Sequence, residues 1–440
     1  MKNIKTTVIT ACLGLITFSA FFLSFKPGSD PINSVSATQK CLIVSDIHFS
    51  PLYGASVTDT VLKRKLQHSN FDEWKAYFEG FAPQMALNAN LLGQDANYAV
   101  LQAALVNMKR RLPHPAFIII AGDFIWHGAT PADSILKKKT VLFIARLFKE
   151  NFPGALIIPA LGNNDTYGQD YDLQDPKFLR DFANAWSPNL PQPSGDFLKE
   201  HGYYSCEAGN MEFLVLNSAS VCAGKNYKQQ ADEMLKWLRL KLSNSNGKNV
   251  WIIMHIPPGV NAFNKTNFWD VAYRDEFVDD IIKSAPSVKL MIASHTHLND
   301  FKVVYDHSKY PAPVALLRIV PSVCSNHLNY PSFDVATVNA STGDLVSETN
   351  WYLKLPSAAA KISPQTIWLD SLSLPKYLKL DKISAVGFSK LIDNIKSDKT
   401  GQMLKNYANF YDVGTTMDSA LFINHKTYMN YLQADSLKQR

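Results

Sequence analysis

The stretch 41–49, Cys-Leu-Ile-Val-Ser-Asp-Ile-His-Phe, constrains this chain more than any other. Its apolar start suits a strand buried on both faces, and Asp46 and His48 then arrive two positions apart. On extended backbone, residues i and i+2 point to one side, so both side chains are expected in one pocket at the strand's end. An unpaired carboxylate beside an imidazole in such a place is costly, and a bound cation is one common remedy. A lone Asp-x-His tripeptide is weak evidence. Its weight comes from the later motifs of the chain, which recur in the same setting.

A second apolar run, 117–121, ends at Gly122-Asp123, and a third, 155–160, is closed by Leu161-Gly162-Asn163-Asn164-Asp165. Strands are also expected over 211–216, over 250–255 ending at His255, over 290–293 leading into Ser294-His295-Thr296-His297, and near 314–319 and 333–338. Helical spacing runs through 97–111, 131–152 and 229–242. Strands alternating with helices indicate an α/β domain with largely buried sheets. Residues 50–94 read as a long loop with short helices lying over the site. From about 353 the pattern shifts to short, mostly helical segments. The expected division is 1–37 as a signal peptide or N-terminal anchor, 38–352 as the main domain, and 353–440 as a helical C-terminal subdomain.

Composition narrows the partners. The chain is 46% apolar and 19% charged, with a net charge of +6 over 440 residues. That charge is small for the length, so a nucleic-acid polymer is not an expected partner. Lys2 and Lys5 precede twenty uncharged residues, 6–25, which end at Lys26-Pro27-Gly28. A basic start followed by an apolar run is an export signal, and its length leaves an uncleaved anchor open. The expected location is periplasmic or secreted, with membrane contact only through that segment if it is retained. Cys41, Cys206, Cys222 and Cys324 form no Cys-x-x-Cys pair, which disfavours a thiolate zinc site. Cys206 and Cys222 could be bridged in an oxidising compartment or remain buried free thiols.

Asp46, His48, Asp123, Asn163, His255, His295 and His297 thus stand at the ends of expected buried strands, where ligand sites of α/β sheets gather. They offer imidazole nitrogens with carboxylate and amide oxygens, a donor set suited to zinc, iron or manganese. Seven donors are too many for one tetrahedral ion but fit two ions sharing a carboxylate. Two ions roughly 3.5–4 Å apart are the recurring device for in-line displacement at phosphorus. Each residue alone has a plainer reading, as core histidine, helix cap or turn. Those readings would have to hold together, in order, each at a strand end.

In this order the motifs Asp46-Ile47-His48, Gly122-Asp123, Gly162-Asn163-Asn164-Asp165, His255 and Ser294-His295-Thr296-His297 resemble the blocks of the calcineurin-like metallophosphoesterases. Gly122-Asp123-Phe124-Ile125-Trp126-His127 and His255-Ile256-Pro257-Pro258-Gly259 resemble its acid sphingomyelinase-like phosphodiesterase branch, as do Phe301 and Pro321-Ser322 followed by Asn329, Pro331 and Phe333. The resemblance spans about 41–352. It implies a four-layer αββα sandwich of two mixed sheets with a small helical C-terminal subdomain. It also implies two divalent metal ions, zinc or else iron or manganese, and a small phosphate-ester substrate attacked by a hydroxide held between the metals.

Carried over by residue, the resemblance puts Asp46, His48 and His297 on one metal, Asn163, His255 and His295 on the other, and Asp123 between them. His127 would donate a hydrogen bond to a phosphoryl oxygen. Ser294 replaces the usual Gly, which asks for an ordinary backbone angle there. Asn164 stands where many members have His, so leaving-group protonation would pass to His127 or a water. Small phosphodiesters or phosphoanhydrides, such as nucleotides, are the expected substrates of an exported phosphodiesterase. Polyphosphate and sphingomyelin are the alternatives; the second is disfavoured because the saposin-like domain finds no room before Cys41. A non-catalytic metal-binding homologue rests on Asn164 alone, and a zinc peptidase lacks a His-Glu-x-x-His stretch.

Overall fold

The computed structural model describes residues 38–54, 60–81, 87–245, 247–261, 265–308, 310–357 and 369–415. The expected export segment, 1–37, lies outside the described residues, as does the tail beyond 415. In chain order the elements are β1 (Thr38–Val44), α1 (Thr60–His68), α2 (Phe71–Phe81), α3 (Tyr98–Arg111), β2 (Phe117–Ile120), α4 (Ser134–Asn151), β3 (Leu156–Pro159), α5 (Pro176–Trp186) and α6 (Gln192–His201). They continue with β4 (Tyr204–Ala208), β5 (Met211–Val215), α7 (Lys228–Asn244), β6 (Asn249–Ile253), α8 (Val271–Ser284), β7 (Val288–Ala293), β8 (Asp300–Asp306) and β9 (Ala312–Ile319). Last come β10 (Ser332–Asn339), β11 (Leu345–Tyr352), β12 (Leu369–Leu374), α9 (Ala385–Ser397) and α10 (Gln402–Tyr411).

The strands form two six-stranded sheets, ordered β12-β11-β10-β1-β2-β3 and β4-β5-β6-β7-β9-β8. In the first, β1, β2 and β3 are parallel, and β10 runs antiparallel to β1. In the second, β5, β6, β7 and β9 are parallel, with β4 and β8 antiparallel at the edges. Parallel strands buried on both faces explain the unbroken apolar runs Phe117–Ile120 and Leu42–Val44. The sheets face each other through aromatic side chains: Phe117 of β2 lies 4.9 Å from Phe213 of β5 and 6.0 Å from Trp251 of β6.

Helices close both outer faces. On α7, Ala231, Met234, Leu235 and Leu238 are fully buried and cluster with Leu214, Ile252 and Met291 of the second sheet. The spacing of those four residues is one helical stripe. On the other side α3 begins where Asn97 caps the Val100 N–H at 3.0 Å and ends in Lys109, Arg110 and Arg111, which suit the helix dipole. The architecture is the expected αββα sandwich.

Three features differ from expectation. Helices α1 and α2 do not cover the cleft at the strand ends; Trp74 and Phe78 of α2 pack on Phe143 of α4 at 5.5 and 5.6 Å. The segment after 353 holds the expected helices, α9 and α10, and adds to them β12, an edge strand beside β11. Strands β8 and β11 show no continuous apolar run, since Asp300, Lys302, Glu348 and Asn350 interrupt it, yet all four are buried. Cys41, Cys206, Cys222 and Cys324 are free and buried. Among the described residues, no helix is long and apolar enough to cross a membrane.

Candidate metal centre

The loops leaving β1, β2, β3, β6 and β7 converge at one end of the sandwich. Backbone hydrogen bonds carry the ladder past the strands: Asp46 N–H donates to Gly122 O (3.0 Å), His48 N–H to Asp123 O (3.0 Å), and Ser294 N–H to His255 O (2.9 Å). Asp46, His48, Asp123, His295 and His297 all adopt left-handed backbone, with φ between 40° and 73°. Non-glycine residues pay roughly 1–3 kcal/mol each for such angles, and they concentrate at functional sites. Asp46 and His48 therefore share a side because each turns in the left-handed region beyond Val44. The pleat of an extended strand, expected from the sequence, is not what brings them together.

Gly122 and Gly162, which lead the second and third motifs, are steric requirements. Gly122 has φ +94°, and a Cβ there would sit 2.7 Å from His255 Nδ1. A Cβ at Gly162 would overlap the Asp123 carboxylate. The loops pack so closely that only glycine admits Asp123.

At the centre, Asp123 Oδ2 lies 3.4 Å from His48 Nε2 and 3.1 Å from His255 Nε2. Asp46 Oδ1 lies 3.4 Å from His297 Nε2 and 3.9 Å from both His48 Nε2 and His255 Nε2. Asn163 Oδ1 is 3.1 Å from His255 Nε2. The groups Asp46–His48–Asp123 and Asp123–His255–His295 each gather their donor atoms within 4.8 Å, and both contain Asp123. Among the described residues, Asp46 Oδ1 and His48 Nε2 are buried with no hydrogen-bond partner. Buried polar atoms are almost always satisfied, so orphaned atoms aimed at one point fit cations held between them.

The surroundings orient the rings. His48 Nδ1 faces Ile125 O at 2.8 Å and His255 Nδ1 faces Ala121 O at 2.7 Å, so each Nε2 points inward. Ser294 Oγ donates to Ala121 O (2.7 Å) and stands 2.9 Å from His255 Nδ1, a contact no glycine could make. Its φ is not left-handed, in keeping with the expected ordinary angle. His297 Nδ1 meets Cys324 Sγ at 3.3 Å, and His295 Nε2 meets Tyr171 OH at 3.1 Å.

Burial lowers His48 to about 4 and His295 to about 3, and takes His297 well below its usual value, so these rings stay neutral. Burial raises Asp46 to about 7. Burial would likewise raise Asp123, but His255 and His48 beside it outweigh burial and hold its carboxyl far down. Burial opposes a proton on His255, yet Asp123 wins and lifts it to about 10. The ligating forms are neutral imidazole and ionised carboxylate; His48, His295, His297 and Asp123 already hold them, while His255 and Asp46 would reach them by giving up a proton to a bound cation.

The remaining expected residues also reach the site. Asn164 donates from its backbone N–H to Asp123 Oδ1 (2.8 Å) and from Nδ2 to Asp123 Oδ2 (3.0 Å). The His127 ring stacks on His48 at 3.8 Å, and His127 Nδ1 meets Asp95 Oδ1 at 2.6 Å. Sequence reasoning did not single out Asp95, nor Asp165, which accepts the N–H groups of Asp123 (2.8 Å), Phe124 (2.9 Å) and Gly162 (2.9 Å). Asp170 accepts from Asn163 Nδ2 at 2.7 Å. His327, which no motif of the sequence marks, lies 4.3 Å from the His297 ring and lines the cleft. Only Asp165, in the Gly-Asn-Asn-Asp block, carried a sequence signal. The cleft over the centre is about 210 Å³, with Tyr171, Phe268, His327 and Tyr411 on its walls.

The profile described as calcineurin-like phosphoesterase matches residues 40–299. Sphingomyelinase phosphodiesterase C of Dictyostelium discoideum is 28% identical over 243 residues, covering 52% of this chain and 54% of that one. Acid sphingomyelinase-like phosphodiesterase 3b of Mus musculus is 25% identical over 388 residues, covering 81% of this chain and 79% of that one. Cyclic GMP-AMP phosphodiesterase SMPDL3A of Homo sapiens is 24% identical, covering 85% of this chain and 84% of that one. The chain thus spans about half the length of the first of these relatives and most of the other two.

Proposed function

The chain belongs to the calcineurin-like phosphoesterase family, and from that premise we propose that it is an exported, binuclear metal-dependent phosphodiesterase acting on small phosphodiesters or phosphoanhydrides of nucleotide type. The observation that carries this reading is Asp123 Oδ2, within 3.4 Å of His48 Nε2 and 3.1 Å of His255 Nε2, with the orphaned Asp46 Oδ1 beside them. Asp46, His48 and His297 would hold one cation, Asn163, His255 and His295 the other, and Asp123 both. Zinc suits this nitrogen-rich donor set, with iron or manganese as alternatives. When bound, such a pair supplies a water acidic enough to ionise near neutral pH and positive charge for the phosphoryl oxygens.

The protein's own groups supply the rest. The Asn164 amide, held at Asp123, sits where it can turn to donate to a phosphoryl oxygen. An amide cannot give up a proton as an acid, so the leaving group takes its proton elsewhere. His127, which lines the cleft, is the group to which we give this role. Burial opposes its protonation, but the Asp95 carboxylate at 2.6 Å outweighs burial and keeps the ring protonated to higher pH than usual. The aromatic walls of the cleft suit a planar base or another flat substituent. The names of the relatives, cyclic GMP-AMP phosphodiesterase and sphingomyelinase phosphodiesterase among them, agree with diester cleavage. Export rests on the uncharged run 6–25 after Lys2 and Lys5.

The test is a panel on metal-reconstituted protein lacking residues before Thr38: a phosphomonoester, a diester, a nucleoside triphosphate, polyphosphate and sphingomyelin. Diester or nucleotide turnover that chelation abolishes and zinc restores is expected. Asp123→Asn should cost at least about a hundredfold in kcat/KM and lower bound metal, since even partners behind the ligands are worth that much. Turnover that survives chelation would overturn the reading. Two bound metals without hydrolysis of any substrate would favour the non-catalytic homologue.

A further inference from the structure

A second cavity, of about 350 Å³, opens on the outer helical layer between the α1–α2 junction, α4 and the start of α5. It shares no lining residue with the cleft over the metal centre. Its inner wall is aromatic: the Phe143 ring packs at 5.2 Å from Phe71 and 5.5 Å from Trp74. Leu142, on its lining, is 40% exposed, and Ile135 beside it is 52% exposed. A mainly apolar hollow of this size with few polar groups is the usual form of a small-molecule site, and water standing against such a wall is unfavourable.

The charged groups are of one sign, beside the neutral Ser69, Asn70 and Ser134. Lys138, Lys139 and Lys177 line the cavity and no carboxylate does. Lys138 Nζ is neutralised by Asp181 Oδ1 at 2.8 Å. The other two touch uncharged groups: Lys139 donates to the Ser69 carbonyl, with the Glu73 carboxylate outside the lining acting on it, and Lys177 Nζ stands 5.7 Å from the Tyr167 ring. The hollow is therefore apolar within and cationic at its rim. Lysine stems extend apolar walls while their ammonium heads stay in water, which matches a ligand with a hydrocarbon tail and an anionic end.

We propose that this cavity binds a single amphiphile with an anionic head group, its alkyl chain against Phe71, Trp74 and Phe143 and its head between Lys139 and Lys177. The site stands back to back with the metal centre, because Phe143 also stacks at 5.7 Å on Phe49, the residue after His48.

Calorimetric titration of the full chain with decanoate, decyl phosphate, decanol and inorganic phosphate tests this. Saturable one-to-one binding of both anionic amphiphiles is expected, with decanol and phosphate each at least about tenfold weaker. Leu142→Trp, which fills the mouth from an exposed position, should weaken all binding by about tenfold or more. The pair Lys139→Gln with Lys177→Gln should weaken the anions and leave decanol unchanged. Diester hydrolysis and melting temperature serve as controls for folding; should Leu142→Trp fail them, the lysine pair decides. No saturable binding, decanol as tight as decanoate, or anion binding indifferent to the lysine pair would overturn the proposal.

Discussion

Asp123 can occupy the middle of this site only because Gly162 presents no side chain to it. A methyl group there would push into the carboxylate. Gly162→Ala is therefore expected to fold, since the site lies at the ends of the strands rather than in the sheets. It should lose about a hundredfold or more in kcat/KM, the cost of moving a reacting group by about an ångström. Kinetics alongside a thermal melt check it; wild-type turnover would show that the loop adapts. The identities of the expected donors were legible because each is a metal-binding residue type closing an apolar run. Their backbone angles were not. Left-handed conformations at Asp46, His48, Asp123, His295 and His297 carry no signature in non-glycine residues, because neighbouring loops impose them.

At the scale of elements, the loop before α3 holds Asp95 against His127, both through the His127 N–H (2.9 Å) and through its ring (2.6 Å). Asp95→Ala should release the ring and lower kcat/KM by about ten- to a hundredfold. Metal content by elemental analysis should stay at the wild-type level, which separates this role from that of a ligand. No motif marks Asp95, since it meets His127 only through the fold. At the end of α10, burial lifts the Asp412 carboxyl to about 7. Its folded pKa thus exceeds the unfolded one, so the folded state binds the extra proton. This contribution is fully present below about pH 4 and is lost as pH rises through 7. Asp412→Asn should raise the melting temperature at pH 8 by about 2 °C or more and leave it unchanged at pH 4; equal melts at both pH values would refute this.

Across the whole molecule, the two sheets are tied by a buried ion pair. Arg318 of β9 meets Glu348 of β11 through Nη2 and through Nε (3.3 Å), while its other donors reach Asn299 Oδ1 (3.0 Å) and Asp300 O. Asn299 N–H in turn donates to Tyr411 O (3.0 Å), and Tyr407 OH bonds Asp300. The network thus joins both sheets to α10 just beyond the His295–His297 loop. Removing one buried partner leaves the other charge uncompensated, so Glu348→Ala should cost about 3–5 kcal/mol in urea unfolding. Replacing both partners, as Arg318→Met with Glu348→Leu, should recover most of that loss. A single variant no worse than the double would refute the pairing.

By itself the sequence determined the α/β class, the buried central strands and the order of the donor residues. Each of these rests on short-range information: an apolar run long enough for a buried strand, ended by a residue that chemistry can use. Tertiary structure alone decided the rest. It turned Asp46 and His48 inward, brought Asp95 to His127 and both Cys324 and His327 to the His297 ring, and paired Arg318 of β9 with Glu348 of β11 across the two sheets. Those contacts join residues far apart in the chain, and a polar residue's partner across such a separation is chosen by packing, which no local pattern encodes.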